Sequence, residues 1–126
     1  MTRGKLVYLE NGNIHISDEF NGDMYVKGGH GELLLKLLPY VQTTRDFYKT
    51  ALFFNDLVFE YENFHFETRY GVEVIDLSKD YFGEWFSDYL YFIVRTPMTF
   101  IQKDGTEYKA KRGEILVFNF GKLELL

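Results

Sequence analysis

The chain has 126 residues, no cysteine and a formal net charge of −5, a size at which one domain can bury a core without staples. Disulfides and thiolate metal centres are excluded, and 46% hydrophobic against 26% charged residues excludes a disordered chain. The apolar run at 89–94 is too short to span a bilayer, and residues 1–13 lack the apolar stretch of a signal peptide, so a cytoplasmic protein with no membrane partner is expected.

The chain opens on a hairpin, with "KLVYL" and "NIHIS" flanking Asn11-Gly12, the favoured pair for a turn with positive φ at both central positions. A short strand over 24–27 follows the turn signal Asn21-Gly22-Asp23, and the glycines of "GGHG" interrupt the chain before a helix over 32–40 that ends or kinks at Pro39. Thr43 and Asp46 have capping-box spacing ahead of a helix over 44–54. "LVFEYE" and "FHFET" alternate in opposite phases, so a turn or bulge at Asn63 must separate them, and "VEVID" is a further strand.

Projected at helical spacing, 79–90 gathers Tyr81, Phe82, Trp85, Phe86, Tyr89 and Leu90 on one side, with Ser78 as N-cap. Gly83 costs such a helix about 1 kcal/mol, and a strand beginning at Tyr89 is the alternative. The last third is β: a hairpin around Asp104-Gly105, then "EILVFNF", apolar on both faces and so a covered strand, then "KLELL" as an edge strand. The expected fold is a single α+β domain over residues 1–126. It is a mostly antiparallel sheet of about 7–8 short strands, with hairpins at 11–12 and 104–105 and two or three helices packed on it (32–40, 44–54, 79–90).

Chemistry-bearing motifs are missing. His15, His30 and His65 form no HxH or HExxH pattern, and His65 with Glu67 is a bare two-residue strand pair, so no metal is expected. "KGGHGE" at 27–32 matches neither phosphate-binding fingerprint, and Glu32 behind it repels anions. There is no nucleophile elbow and no SxxK, and the carboxylate pairs Glu60/Glu62 and Asp76/Asp80 fit solvated faces of amphipathic elements. No catalytic residue and no cofactor are expected.

The charge distribution is more informative. Residues 1–54 are balanced and 92–126 are net basic, whereas 55–91 carry nine acids against only Arg69 and Lys79. The same segment is rich in rings, in a chain that is 19% aromatic. An acidic surface interleaved with tyrosines suits a basic protein partner and repels nucleic acid. The expectation is therefore a non-enzymatic protein-binding module of inhibitor or immunity type, by analogy with toxin-immunity and phage-encoded inhibitors, masking the basic surface of a nucleic-acid-binding enzyme. Glu60, Glu62, Glu67, Glu73, Asp76, Asp80, Glu84 and Asp88, with Tyr61, Tyr70 and Tyr91, are the expected contact residues. Two alternatives stand beside it: a small-molecule-binding domain or enzyme with an aromatic-lined pocket, and self-association as a homodimer through the apolar C-terminal edge.

Overall fold

The computed structural model describes residues 3–17, 20–21, 30–54, 58–61, 67–77, 89–119 and 122–125. In chain order the strands are β1 (Arg3–Glu10), β2 (Asn13–Ser17), β3 (Phe20–Asn21), β4 (Val58–Tyr61), β5 (Glu67–Arg69), β6 (Val72–Asp76), β7 (Tyr89–Val94), β8 (Met98–Ile101), β9 (Glu107–Ala110), β10 (Ile115–Asn119) and β11 (Lys122–Leu125). Helices α1 (His30–Leu37) and α2 (Thr44–Phe54), with a 3-10 turn at Leu38–Tyr40, lie between β3 and β4.

The first hairpin forms as its turn residues require. Asn11 (φ 48°) and Gly12 (φ 79°) both take positive φ, which matches the twist of the flanking strands and sets Val7 opposite Ile16 and Tyr8 opposite His15. Beyond the Val7–Ile16 pair the ladder is continued by a side chain: the buried Ser17 Oγ accepts the Leu6 N–H at 2.8 Å. β4 adds antiparallel to β2. On the other side of β1 lies β7, parallel, from Gly4 opposite Tyr89 to Leu9 opposite Val94. β10 and β11 follow, giving the order β11-β10-β7-β1-β2-β4 with β3 paired to the start of β1. The second sheet has the order β5-β6-β8-β9, with β6 and β8 parallel.

Strand parity shows why the middle of the larger sheet is apolar on both faces. Val7 and Leu9, Leu90, Phe92 and Val94, and Leu116 and Phe118 point one way and meet Ile75, Leu77, Met98 and Phe100 of the smaller sheet. Phe92 and Phe100 close that core edge to face, with ring centroids 5.1 Å apart, and burying each ring contributes about 1.5–3 kcal/mol. Leu6 and Tyr8, Tyr89, Tyr91 and Ile93, and Ile115 and Val117 point the other way, beneath Leu38, Val41, Phe47 and Ala51 of the helical segment. The molecule is thus three layers: helices, larger sheet, smaller sheet. Phe47 and Ala51, one turn apart on α2, make its buried stripe. Asp46 N–H donates to Thr43 Oγ1 at 3.1 Å while Asp46 Oδ2 accepts from Gln42 N–H at 3.2 Å, a capping exchange that opens α2 where the spacing predicts.

The α+β class holds, and several details are corrected. Both sheets are mixed rather than antiparallel, because β7 and β8 each run alongside a distant strand in the same direction. The described residues hold eleven strands, more than the seven or eight expected. Among the described residues α2 is the one long helix, and α1 stops at Leu37 and tightens into the 3-10 turn carrying Pro39. Of the expected helix over 79–90, residues 79–88 lie outside the described residues, and Tyr89 and Leu90 open β7 instead. An apolar run covered on both faces is what a strand inside three layers needs, so at Tyr89 and Leu90 the alternative of a strand beginning at Tyr89 holds and the helical reading does not. The expected strand at 24–27 also lies outside the described residues. Among the described residues no helix is long and apolar enough to cross a membrane.

Candidate functional site

The smaller sheet has two unlike faces. Ile75, Leu77, Met98, Phe100 and Ala110 turn inward to the core. By strand alternation Val72, Val74 and Asp76, Thr99 and Ile101, and Glu107 and Lys109 lie on the opposite side; Val74, Thr99 and Ile101 are nonetheless buried, so what this side exposes is Val72, Glu107 and Lys109. One row runs straight across this outer face, since Glu67 pairs with Val74, Val74 with Thr99, and Thr99 with Lys109. At one end of the face a cavity of about 450 Å³ opens, floored by Val72, Val74, Pro97, Met98 and Thr99 and bounded by Arg69 and Tyr70 on one side and by Glu107, Lys109 and Lys111 on the other.

Tyr70 is the least expected member. It forms the two-residue turn with Gly71, and its φ of 53° lies in the left-handed region, as does that of Gly71 at 78°. Asparagine, aspartate or glycine normally takes this position, because a Cβ there costs about 1–2 kcal/mol. The tyrosine ring recovers none of that inside the molecule, being fully exposed.

The charge at the cavity is positive. Arg69 Nη1 lies 3.5 Å from Glu107 Oε1, both side chains about half exposed, and this pair cancels locally. Lys109 and Lys111 are exposed, and neither has an ion-pair partner among the described residues. A chain of net charge −5 therefore presents an apolar depression edged by two exposed lysines with no ion-pair partner among the described residues, the Glu114 carboxylate accepting the Lys111 backbone N–H beside it.

The expected contact residues are divided by the fold. Tyr70 borders the cavity. Asp76 lies on the outward row of the same sheet, but Glu73, three residues earlier, lies on the inward row near the first hairpin, where a Cβ on Gly12 would come within 3.4 Å of Glu73 Oε1. Glu67 is on β5, an outer strand of the smaller sheet, while Glu60 and Tyr61 are on β4, an outer strand of the larger one. Tyr91 is corrected outright: it has no exposed surface and stacks on Tyr89 at 6.2 Å, and burial raises its phenol pKa well above the ordinary value. It lies inside β7, which is covered on both faces, and so is not available to a partner. Glu62, Asp80, Glu84 and Asp88 lie outside the described residues. Lys109, Lys111, Val72 and Pro97 escaped the sequence reading, although the alternation Glu107, Lys109, Lys111 in "TEYKAK" shows a charged strand face.

A second polar group lies where α2 meets β1 and β2. Tyr48 Oη and His15 Nδ1 are 3.4 Å apart, and Tyr8 Oη donates to Glu10 Oε2 at 3.3 Å. Burial, and then the Glu10 carboxylate, raise the Tyr8 phenol above its usual value, the wrong direction for a base or nucleophile at neutral pH. Among the described residues no group of three or more His, Asp or Glu side chains is placed to hold a metal. Comparison with family models, curated proteins and solved structures gave no match.

Proposed function

We propose that this chain is a non-enzymatic protein-binding module that docks through the outer face of its smaller sheet, with Tyr70 as the anchor. The observation that carries the reading is that tyrosine: a large ring, fully exposed, on a turn position where its own backbone is strained. Conformational strain with no return inside the molecule is a mark of functional positions, and Tyr is enriched among residues that dominate interface energies. The adjoining cavity supplies apolar ground for a partner side chain. An inhibitor- or immunity-type role remains the form of binding proposed, on the strength of the chain's small size.

The test is a photo-reactive phenylalanine analogue introduced at position 70 and, as a control, at Tyr40, which is 77% exposed on the helical side. Irradiation in a lysate of the source cells should give one discrete adduct from position 70 and none from position 40. Adducts from position 40 alone would move the docking face to the helices and end this reading.

A further inference from the structure

The cavity on the outer face also carries information about what would fill it. Its floor of Val72, Val74 and Pro97 offers no charge, and the one acid among its described lining residues, Glu107, is engaged with Arg69 at 3.5 Å. Lys109 and Lys111 stand at the rim with no ion-pair partner among the described residues, the nearby Glu114 carboxylate being taken up by the Lys111 backbone N–H and the Tyr108 hydroxyl. An apolar group seated there brings whatever flanks it to within reach of two ammonium groups. A basic flank would be repelled and a neutral one would leave both lysines uncompensated. A carboxylate would gain at both, in a local field opposite in sign to that of the whole chain.

We infer that the partner segment recognised at this face is an acidic-apolar peptide: one large apolar side chain on the Val72–Val74–Pro97 floor, beside an Asp or Glu that pairs with Lys109 and Lys111. This rests on the docking reading above and gives it a chemistry, and it reverses the charge of the partner surface expected from composition. A purely structural account of the lysines also exists. β9 is an outer strand of its sheet, and lysines on such strands discourage unwanted strand pairing. The two accounts differ in what charge reversal does to binding.

Selection of a random twelve-residue peptide library on the immobilised, folded protein separates them. The expected result is enrichment of peptides with Asp or Glu near Leu, Ile, Phe or Trp, bound less tightly as salt rises. The double variant Lys109→Glu, Lys111→Glu should weaken them by about tenfold, the scale of two rim charge pairs turned repulsive, and should instead select basic-apolar peptides. Two further variants locate any failure. If enriched peptides lose binding with Tyr70→Asn but show no acidic preference, or bind the lysine variant unchanged, the docking face stands and the acidic-apolar assignment falls. If no enriched peptide depends on Tyr70, the docking face falls as well. Circular dichroism and melting of each variant, with the double reversal Lys36→Glu, Lys122→Glu as a charge-matched control at exposed positions outside the cavity lining, show that the fold is intact.

Discussion

Replacing Tyr70 by asparagine tests whether that ring works for the fold or for something outside it. An L-residue held near φ 53° carries about 1–2 kcal/mol of strain, which asparagine relieves in part by hydrogen bonding its own backbone. The ring is fully exposed, so its removal forfeits no packing inside the molecule. The net change expected for Tyr70→Asn is a gain of about 0.5–1 kcal/mol, or about 2–4 °C in Tm for a domain of this size, read by calorimetry and by urea unfolding with an unchanged m-value. Binding measured with the same protein should fall by about tenfold or more, as when an aromatic anchor is truncated. Stability rising while binding falls is the pattern of a residue kept for a partner. A Tyr70→Asn protein that melts several degrees lower would show that the ring supports the fold, and the argument from strain would be refuted. Gly71→Ala calibrates the turn. At φ 78° the added Cβ meets nothing within 4 Å, so the expected loss of about 1 kcal/mol comes from backbone strain alone.

Other expectations concern the layers that hold this face in place. Ser17→Ala removes the acceptor for the Leu6 N–H inside the sheet and should destabilise by about 1–3 kcal/mol in urea titrations; a loss below about 0.5 kcal/mol would mean that the amide finds another partner. Phe100→Ala opens a hole between the sheets opposite Phe92 and should cost about 3–5 kcal/mol, where a surface role would cost almost nothing. Burial raises the phenols of Tyr8 and Tyr91 above the usual 10.0. The fold therefore favours their protonated forms: this contribution is complete below pH 10 and drains away as pH climbs toward the raised folded-state values. Tyr91→Phe should flatten the alkaline fall in stability, seen by unfolding titrations above pH 10, and an unaltered slope would remove Tyr91 as a source of it. The Asp46 carboxyl is lowered by the Gln42 amide and then by the Thr43 hydroxyl, so its share is present above the ordinary carboxylate range and disappears as pH falls through the lowered value; Asp46→Asn should diminish that acid-side loss.

Local signals carried the sequence reading far in some places. Asn11-Gly12 named its turn because few residue pairs tolerate that backbone, and Thr43 with Asp46 marked the start of α2 because the cap is a contact three residues long. β10 could be read as covered because both of its faces are apolar. The parallel pairings had no such signal. β1 meets β7 across some eighty residues of chain, and no turn chemistry records a contact of that range. Without those pairings the three-layer stack was invisible, and so was the fact that β7 is covered twice, which is why Tyr91 was misplaced. The cavity follows the same logic. Lys109 and Lys111 show a charged strand face on their own, but only the parallel contact of β6 with β8 places them across from Tyr70 and Val72.

The aromatic content changes meaning once the layers are known. A sheet covered on both faces needs two cores, and the rings serve both: Phe92, Phe100 and Phe118 between the sheets, Tyr8, Phe47, Tyr89 and Tyr91 beneath the helices. Architecture therefore accounts for these seven rings, and their number is no evidence for a binding surface. Position replaces it. A buried ring is explained by the area it removes from water, whereas Tyr70 removes none and strains its own turn. The same reasoning applies to charge. Nine acids in the middle of the chain describe a segment, while two lysines beside an apolar hollow describe a site, because the fold sets them within reach of one ligand. The experiments that matter are accordingly those that shift a single position, Tyr70 or the Lys109–Lys111 pair, while leaving composition and both cores as they are.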